Sequence, residues 1–180
     1  QLLLRILVAE MAKTNPGSPE WMSPANDTTE VKLPPLWMPY PELAEQGHIE
    51  YRATGYYTQS TGGPQTIHIY VYSNNAQFAD FQFTGITAFS GTARVLLVLH
   101  FDILGNFNGV SEQFVTCELA IYEPSGAVTV LSAKQTRVIN IDTYSDQLVQ
   151  PRFKKSVALS GNSLNIASVV GAHDGVRSSG

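Results

Sequence analysis

The sequence predicts an all-β protein, an antiparallel β-sandwich, on three observations. Short runs of alternating apolar and polar residues recur along the chain, and turn-forming clusters separate them at roughly 8–12-residue intervals. No stretch long enough for a helix carries a capped 3.6-residue apolar period. The 180 residues suit one domain, read as a single sandwich over 1–170 followed by an extended tail over 171–180 that lacks apolar content.

Taken in order, the apolar residues 2–12 fit a buried strand or a short helix. Strand is favoured, because Ile6, Leu7 and Val8 lead into the turn-rich stretch Thr14–Pro19. A loop from Pro16 to Asp27 carries Trp21 and Met22, which places it against a surface. Thr28–Leu33 alternates and then meets Pro34, Pro35, Pro39 and Pro41. Each proline removes a ladder donor, so this segment is an edge strand or a covering loop. Its Leu36, Trp37, Met38 and Tyr40 either form a contact patch or cap the domain's own core.

Gly47–Tyr57 sets Ile49, Tyr51 and Ala53 against His48, Glu50 and Arg52, one buried face and one wet face. Gly62, Gly63 and Pro64 turn the chain, so 47–58 and 65–73 are expected to pair. Gln65–Gly85 holds the clearest alternation, with Ile67, Ile69 and Val71 on one side and His68, Tyr70 and Tyr72 on the other. Both faces carry bulk, so Tyr70 and Tyr72 are expected to approach another layer or chain. An aromatic tail with Phe78, Phe81 and Phe83 follows.

Ser90–Ile103 is the longest strand candidate, with Val95, Leu97, Leu99, Phe101 and Ile103 inward. Gly105–Gly109 contains an Asn-Gly turn signal and delivers the chain to Gln113–Tyr122 as a hairpin, with Val115, Cys117, Leu119 and Ile121 inward. Beyond the turn Glu123–Gly126, strands are expected at Val128–Leu131, Thr136–Ile141, Ser156–Ser160 and Ser163–Val170.

Charged residues make up 14% of the chain and the net charge is −4. A low charge density suits surfaces buried against other chains. Scattered basic residues exclude a dedicated nucleic-acid face. The one basic knot, Arg152, Lys154 and Lys155, reads as a solvated turn. Cys117 is the single cysteine, so an intrachain disulfide is excluded, and its apolar setting marks it as a small buried hydrophobe. Asn26–Thr28 is a formal glycosylation sequon, meaningful only in a secreted chain.

Leu2–Ala9 is interrupted by Arg5 and far shorter than the ~20 residues a span needs, and it lacks the regions of a signal peptide. No membrane span is expected. Because the chain starts inside what reads as a structured element, a processed product or a trimmed chain is expected.

No catalytic, cofactor-binding or metal-binding residues are predicted. His48, His68, His100 and His173 lack a second ligand at a metal spacing, and no phosphate loop or EF-hand pattern occurs. His100 and Asp102 share a strand face and read as a surface or interface pair. The expectation is therefore a non-enzyme without cofactors.

Three stretches resemble the coat proteins of the picorna-like viruses. Thr28–Tyr40 is similar to that family's strand running into a proline- and aromatic-rich loop. Gly47–Tyr57 followed by Gln65–Gly85 is similar to the closing pair of strands, and Phe89–Phe101 resembles the early strand that begins with an aromatic, a glycine and an Arg-containing apolar run. The resemblance implies a jelly-roll subunit, released from a polyprotein, that packs with like and unlike coat proteins into an icosahedral shell around an RNA genome. It implies residence in the virion, partners among other capsid subunits, a host receptor, and only weak RNA contact given the acidic balance. Leu36, Trp37, Met38, Tyr40, Tyr70 and Tyr72 are the expected intersubunit contacts. The alternative is a secreted or cell-surface β-sandwich module that binds carbohydrate or protein through Trp37, Tyr56, Tyr57 and Tyr72.

Overall fold

Two left-handed asparagines commit the middle of the chain to its pairing. Asn74 and Asn75 adopt φ values of 46° and 70°, conformations that asparagine tolerates better than other side-chain-bearing residues and that a two-residue hairpin turn requires. They join β7 (Gln65–Ser73) to β8 (Ala76–Ile86), with Ser73 opposite Ala76. The other edge of β7 is taken by β12 (Gln147–Lys155).

The computed structural model describes residues 5–7, 11–12, 21–38, 47–107, 110–123, 129–142 and 145–175. Among them every regular element is a strand. Ahead of β7 come β1 (Arg5–Leu7), β2 (Met11–Ala12), β3 (Met22–Ser23), β4 (Val31–Lys32), β5 (Leu36–Met38) and β6 (Gly47–Gln59). After β8 come β9 (Ala93–Phe107), β10 (Val110–Tyr122) and β11 (Thr129–Ile139), then β12, then β13 (Asn162–Gly175).

These strands form two antiparallel sheets. The first runs β1-β13-β6-β9-β10-β11, with β2 and β3 also on β13; the second runs β4-β12-β7-β8, with β5 also on β12. Pairing is nested in sequence: β3 with β13, β4 with β12, β6 with β9, and β7 with β8. A long antiparallel hairpin folded back across itself produces this order, which is a jelly roll. The β10–β11 hairpin widens the first sheet beyond β9.

Alternation places the core. Ile67, Ile69 and Val71 point inward and are fully buried, while His68, Tyr70 and Tyr72 sit half-buried on the outer face. Ile49, Tyr51 and Ala53 of β6 face them, as do Val95, Leu97, Leu99 and Phe101 of β9 and Val115, Cys117, Leu119 and Ile121 of β10. Phe81 and Phe83 of β8 enter the same core, and each such side chain contributes about 1.5–3 kcal/mol of burial. Burial pushes the Cys117 thiol well above its usual range, so it is inert packing. The sheets meet along one side where Gln135 Nε2 of β11 donates to the Gln82 carbonyl of β8 at 2.6 Å.

Six expectations need correction. β6 and β7 do not pair: residues 60–64 carry the chain from one sheet to the other, because both edges of β7 are already occupied. The stretches matched to closing and early coat-protein strands are the middle strands β6 to β9; β13 closes the fold. Residues 147–155, which include the basic knot, are a strand between β7 and β4, and the strand expected at Ser156–Ser160 is absent. The two strands expected over 128–141 are one, β11. β13 continues to Gly175 against Gly47, so the first five residues of the expected tail belong to the sheet; residues 176–180 lie outside the described residues.

Candidate functional site

The outer face of the second sheet is the candidate contact surface, and three strands supply it. Period-2 alternation sends His68, Tyr70 and Tyr72 of β7 outward. On β12 the same rule sends out Leu148, Gln150, Arg152 and Lys154, and β5 adds Trp37 opposite Leu148. Trp37 is 52% exposed and Leu148 41%, so this corner offers apolar surface to a partner. Tyr72 lies opposite Gln150, one outward step along β12 from Leu148. Strand spacing puts the Trp37 and Tyr72 backbones about 12 Å apart.

The aromatic row is held in place. The His68 and Tyr70 rings stack at 5.6 Å with planes 19° apart, and Tyr70 meets Tyr72 edge-on at 6.5 Å. The Arg152 guanidinium lies 3.5 Å from the centre of the Tyr72 ring, and its Nη1 donates to Glu30 Oε1 at 2.8 Å. Arginine over a tyrosine face, fixed by a carboxylate, holds that ring in place. His68 Nδ1 is 3.1 Å from Asp80 Oδ1, which closes the row on its β8 side. Burial raises the Tyr70 hydroxyl above its ordinary range, and nearby Asp80 and Glu30 push the same way, so it stays a neutral donor.

The expected contact residues divide according to strand phase. Trp37, Tyr70 and Tyr72 share this face, whereas Leu36 is buried and packs toward Gly171 in the core. Because β5 is a strand, adjacent residues take opposite faces, so that Leu36 caps the core while Trp37 is exposed. Nothing is described of the Met38 side chain, and Tyr40 lies outside the described residues. The alternative binding set also separates. Tyr56 is 51% exposed on the first sheet and Tyr57 is wholly buried, so neither adjoins Trp37 and Tyr72. Burial raises the Tyr57 hydroxyl well above its ordinary range, and it donates to Gln59 Oε1 at 2.5 Å.

Arg152, Lys154 and Lys155 are no solvated turn. Arg152 and Lys154 lie on the outer side of β12, Arg152 itself buried and Lys154 half-buried, while Lys155 points inward and is completely buried. Its Nζ donates to the carbonyls of Pro24 at 2.6 Å, Asn162 at 2.7 Å and Ser23 at 3.3 Å. One ammonium thus ties β12 to the start of β13 and to the chain after β3. Burial pushes it down to about 8, with Asp27 pulling the other way.

A second polar constellation lies on the outer face of the first sheet. The register sets His48 of β6 opposite Asp102 of β9 and Glu50 opposite His100. His48 Nδ1 is 2.8 Å from Asp102 Oδ1, the two imidazoles stack at 5.5 Å, and Glu50 Oε2 is 4.0 Å from His100 Nδ1. Asp102 therefore serves His48 and not His100, the partner expected from their shared strand. One ligand atom from each of His48, Glu50 and His100 lies within 4.8 Å of the others. The sequence reading, which predicts no metal ligands, missed this trio because two strands distant in sequence contribute to it; the alternating polar faces of Gly47–Tyr57 and Ser90–Ile103 were its only sign.

No family model matches the chain, and no curated protein does. Among solved structures it is similar to the CBM2 module of the evolved Dit protein of Lactobacillus casei BL23 phage J-1. The likeness has a TM-score of 0.42 and 6% sequence identity, over 88% of this chain and 77% of that one. No helix among the described residues is long and apolar enough to cross a membrane.

Proposed function

We propose that the chain is a structural jelly-roll subunit that docks onto other protein subunits through the outer face of its second sheet, within a non-enveloped icosahedral virion shell. The observation that carries this reading is the joining of the exposed Trp37 with the half-buried Tyr70 and Tyr72 on one face, the Tyr72 ring being backed by the buried Arg152 guanidinium. Tryptophan, tyrosine and arginine dominate the energetics of protein interfaces, because each offers large rigid contact area with a polar handle. Jelly rolls serve viral capsids, and a charged fraction of 14% suits surfaces that are buried on assembly. With a net charge of −4, contacts to an enclosed RNA genome are weak and local.

The test is the size of native material. Sedimentation velocity and negative-stain microscopy are expected to find closed particles, and a monomer that persists at high concentration would overturn the reading. Trp37→Ala is expected to weaken subunit association by about 2 kcal/mol or more while changing the unfolding free energy of the isolated chain by no more than about 0.5 kcal/mol. A large loss of thermal stability in the isolated chain would contradict that split.

A second reading draws on the exposure of Trp37 on the face that also carries Tyr72, Gln150 and Lys154. Apolar ring faces with amide and charged donors alongside also suit a sugar, and jelly rolls include lectin domains. On this reading Trp37→Ala abolishes retention on glycan columns and leaves the hydrodynamic size unchanged.

A further inference from the structure

We infer that His48, Glu50 and His100 form a binding site for a divalent transition-metal ion, of which Zn²⁺ is the probe of choice. Two imidazoles and a carboxylate are a ligand set for zinc that leaves a fourth position to water. Ligand atoms around zinc bound at ~2.0–2.1 Å lie about 3.4 Å apart. The present spacing, within 4.8 Å, closes on an ion by small side-chain rotations without movement of the sheet.

The groups around the trio do what outer partners of a metal site do. Asp102 Oδ1 accepts from His48 Nδ1 at 2.8 Å, which leaves the lone pair on Nε2 for the metal. Arg52 Nη2 holds Glu50 through Oε1 at 3.1 Å, while Oε2 is the oxygen directed at His100. Thus one ligand imidazole and the ligand carboxylate are each oriented by a second residue. The side chains of His48, Glu50 and His100 are 42%, 36% and 29% accessible, so an ion reaches them from solvent. A bound ion would clamp β6 to β9 at the centre of the first sheet, on the face opposite the core.

The experiment is a titration of Zn²⁺ into the whole chain, followed by calorimetry and by the imidazole NMR signals. One saturable site is expected, with shifts at His48 and His100, none at His68, and a melting temperature that rises with Zn²⁺ concentration by mass action. His100→Ala is expected to abolish saturable binding, and Asp102→Asn to weaken it roughly 10- to 100-fold as loss of an outer partner does. His68→Ala, on the other sheet, leaves affinity unchanged. Absence of saturable heat, wild-type affinity in His100→Ala, or shifts centred on His68 would each overturn the site. Near-native melting of His100→Ala without zinc establishes that its loss of binding is not unfolding.

Discussion

Gly55→Ala is expected to lower the unfolding free energy by about 3 kcal/mol or more, and the melting temperature by about 10 °C, given ~2–4 °C per kcal/mol for a chain of this size. Gly55 lies in β6 opposite a bulge in β13. The register steps from Gly55–Ile166 to Thr54–Ser168, which leaves Ala167 as the extra residue. The bulge brings β13 so close that a methyl group on Gly55 would collide with the Asn165 carbonyl oxygen and sit 2.9 Å from Ile166 Cα. Both obstacles are backbone, so neither can rotate aside, and relief requires separating two strands at the centre of the first sheet. Urea unfolding of the variant measures the effect. A midpoint unchanged from wild type would mean that the bulge slides along β13 at little cost.

Lys155→Met is the second large effect, expected at about 3 kcal/mol of destabilisation near neutral pH, since each buried acceptor left unpaired costs about 1–3 kcal/mol. Methionine keeps the packed stem but leaves the carbonyls of Ser23, Pro24 and Asn162 without the donor they share. Lys155 also creates a pH dependence of defined sign. Its ammonium is pushed from 10.5 to about 8 in the folded chain, so between these values the unfolded state binds a proton that the folded state lacks. Stability in this term therefore rises with pH from about 8 to 10.5, and the penalty is fully present below 8. Urea unfolding of wild type and Lys155→Met across that window is expected to show the slope in the first minus the second. A Lys155→Met variant as stable as wild type would mean that the three carbonyls find water instead.

These two sites show where reading a sequence falls short. Gly55 sits within an alternating strand as one small residue among many, and nothing local distinguishes it from a glycine that merely fits. Its importance comes from β13, more than a hundred residues away. Lys155 carries the opposite lesson: three basic residues in four positions suggest solvated surface, but a strand sends neighbours to opposite faces, and so one of the three had to enter the core. The Ser73–Ala76 turn was legible from Asn74 and Asn75 between two alternating runs. Recognising it would have paired β7 with β8 and removed the supposed pairing of β6 with β7.

What the sequence determined by itself is the inward faces of the middle strands β6, β7, β9 and β10. Ile67, Ile69 and Val71 and the parallel rows in β6, β9 and β10 follow from a period of two, which each of these strands displays locally. Only the tertiary structure decided which strands are neighbours. Pairing is a contest among all strand edges at once, settled by turn geometry and by the burial of both sheets against each other, and no single segment records the outcome. The same contest set Trp37 on one face with Tyr72 and sent Leu36 into the core. It also brought His48 and Glu50 of β6 against His100 and Asp102 of β9, where four polar residues from two separate strands become one site.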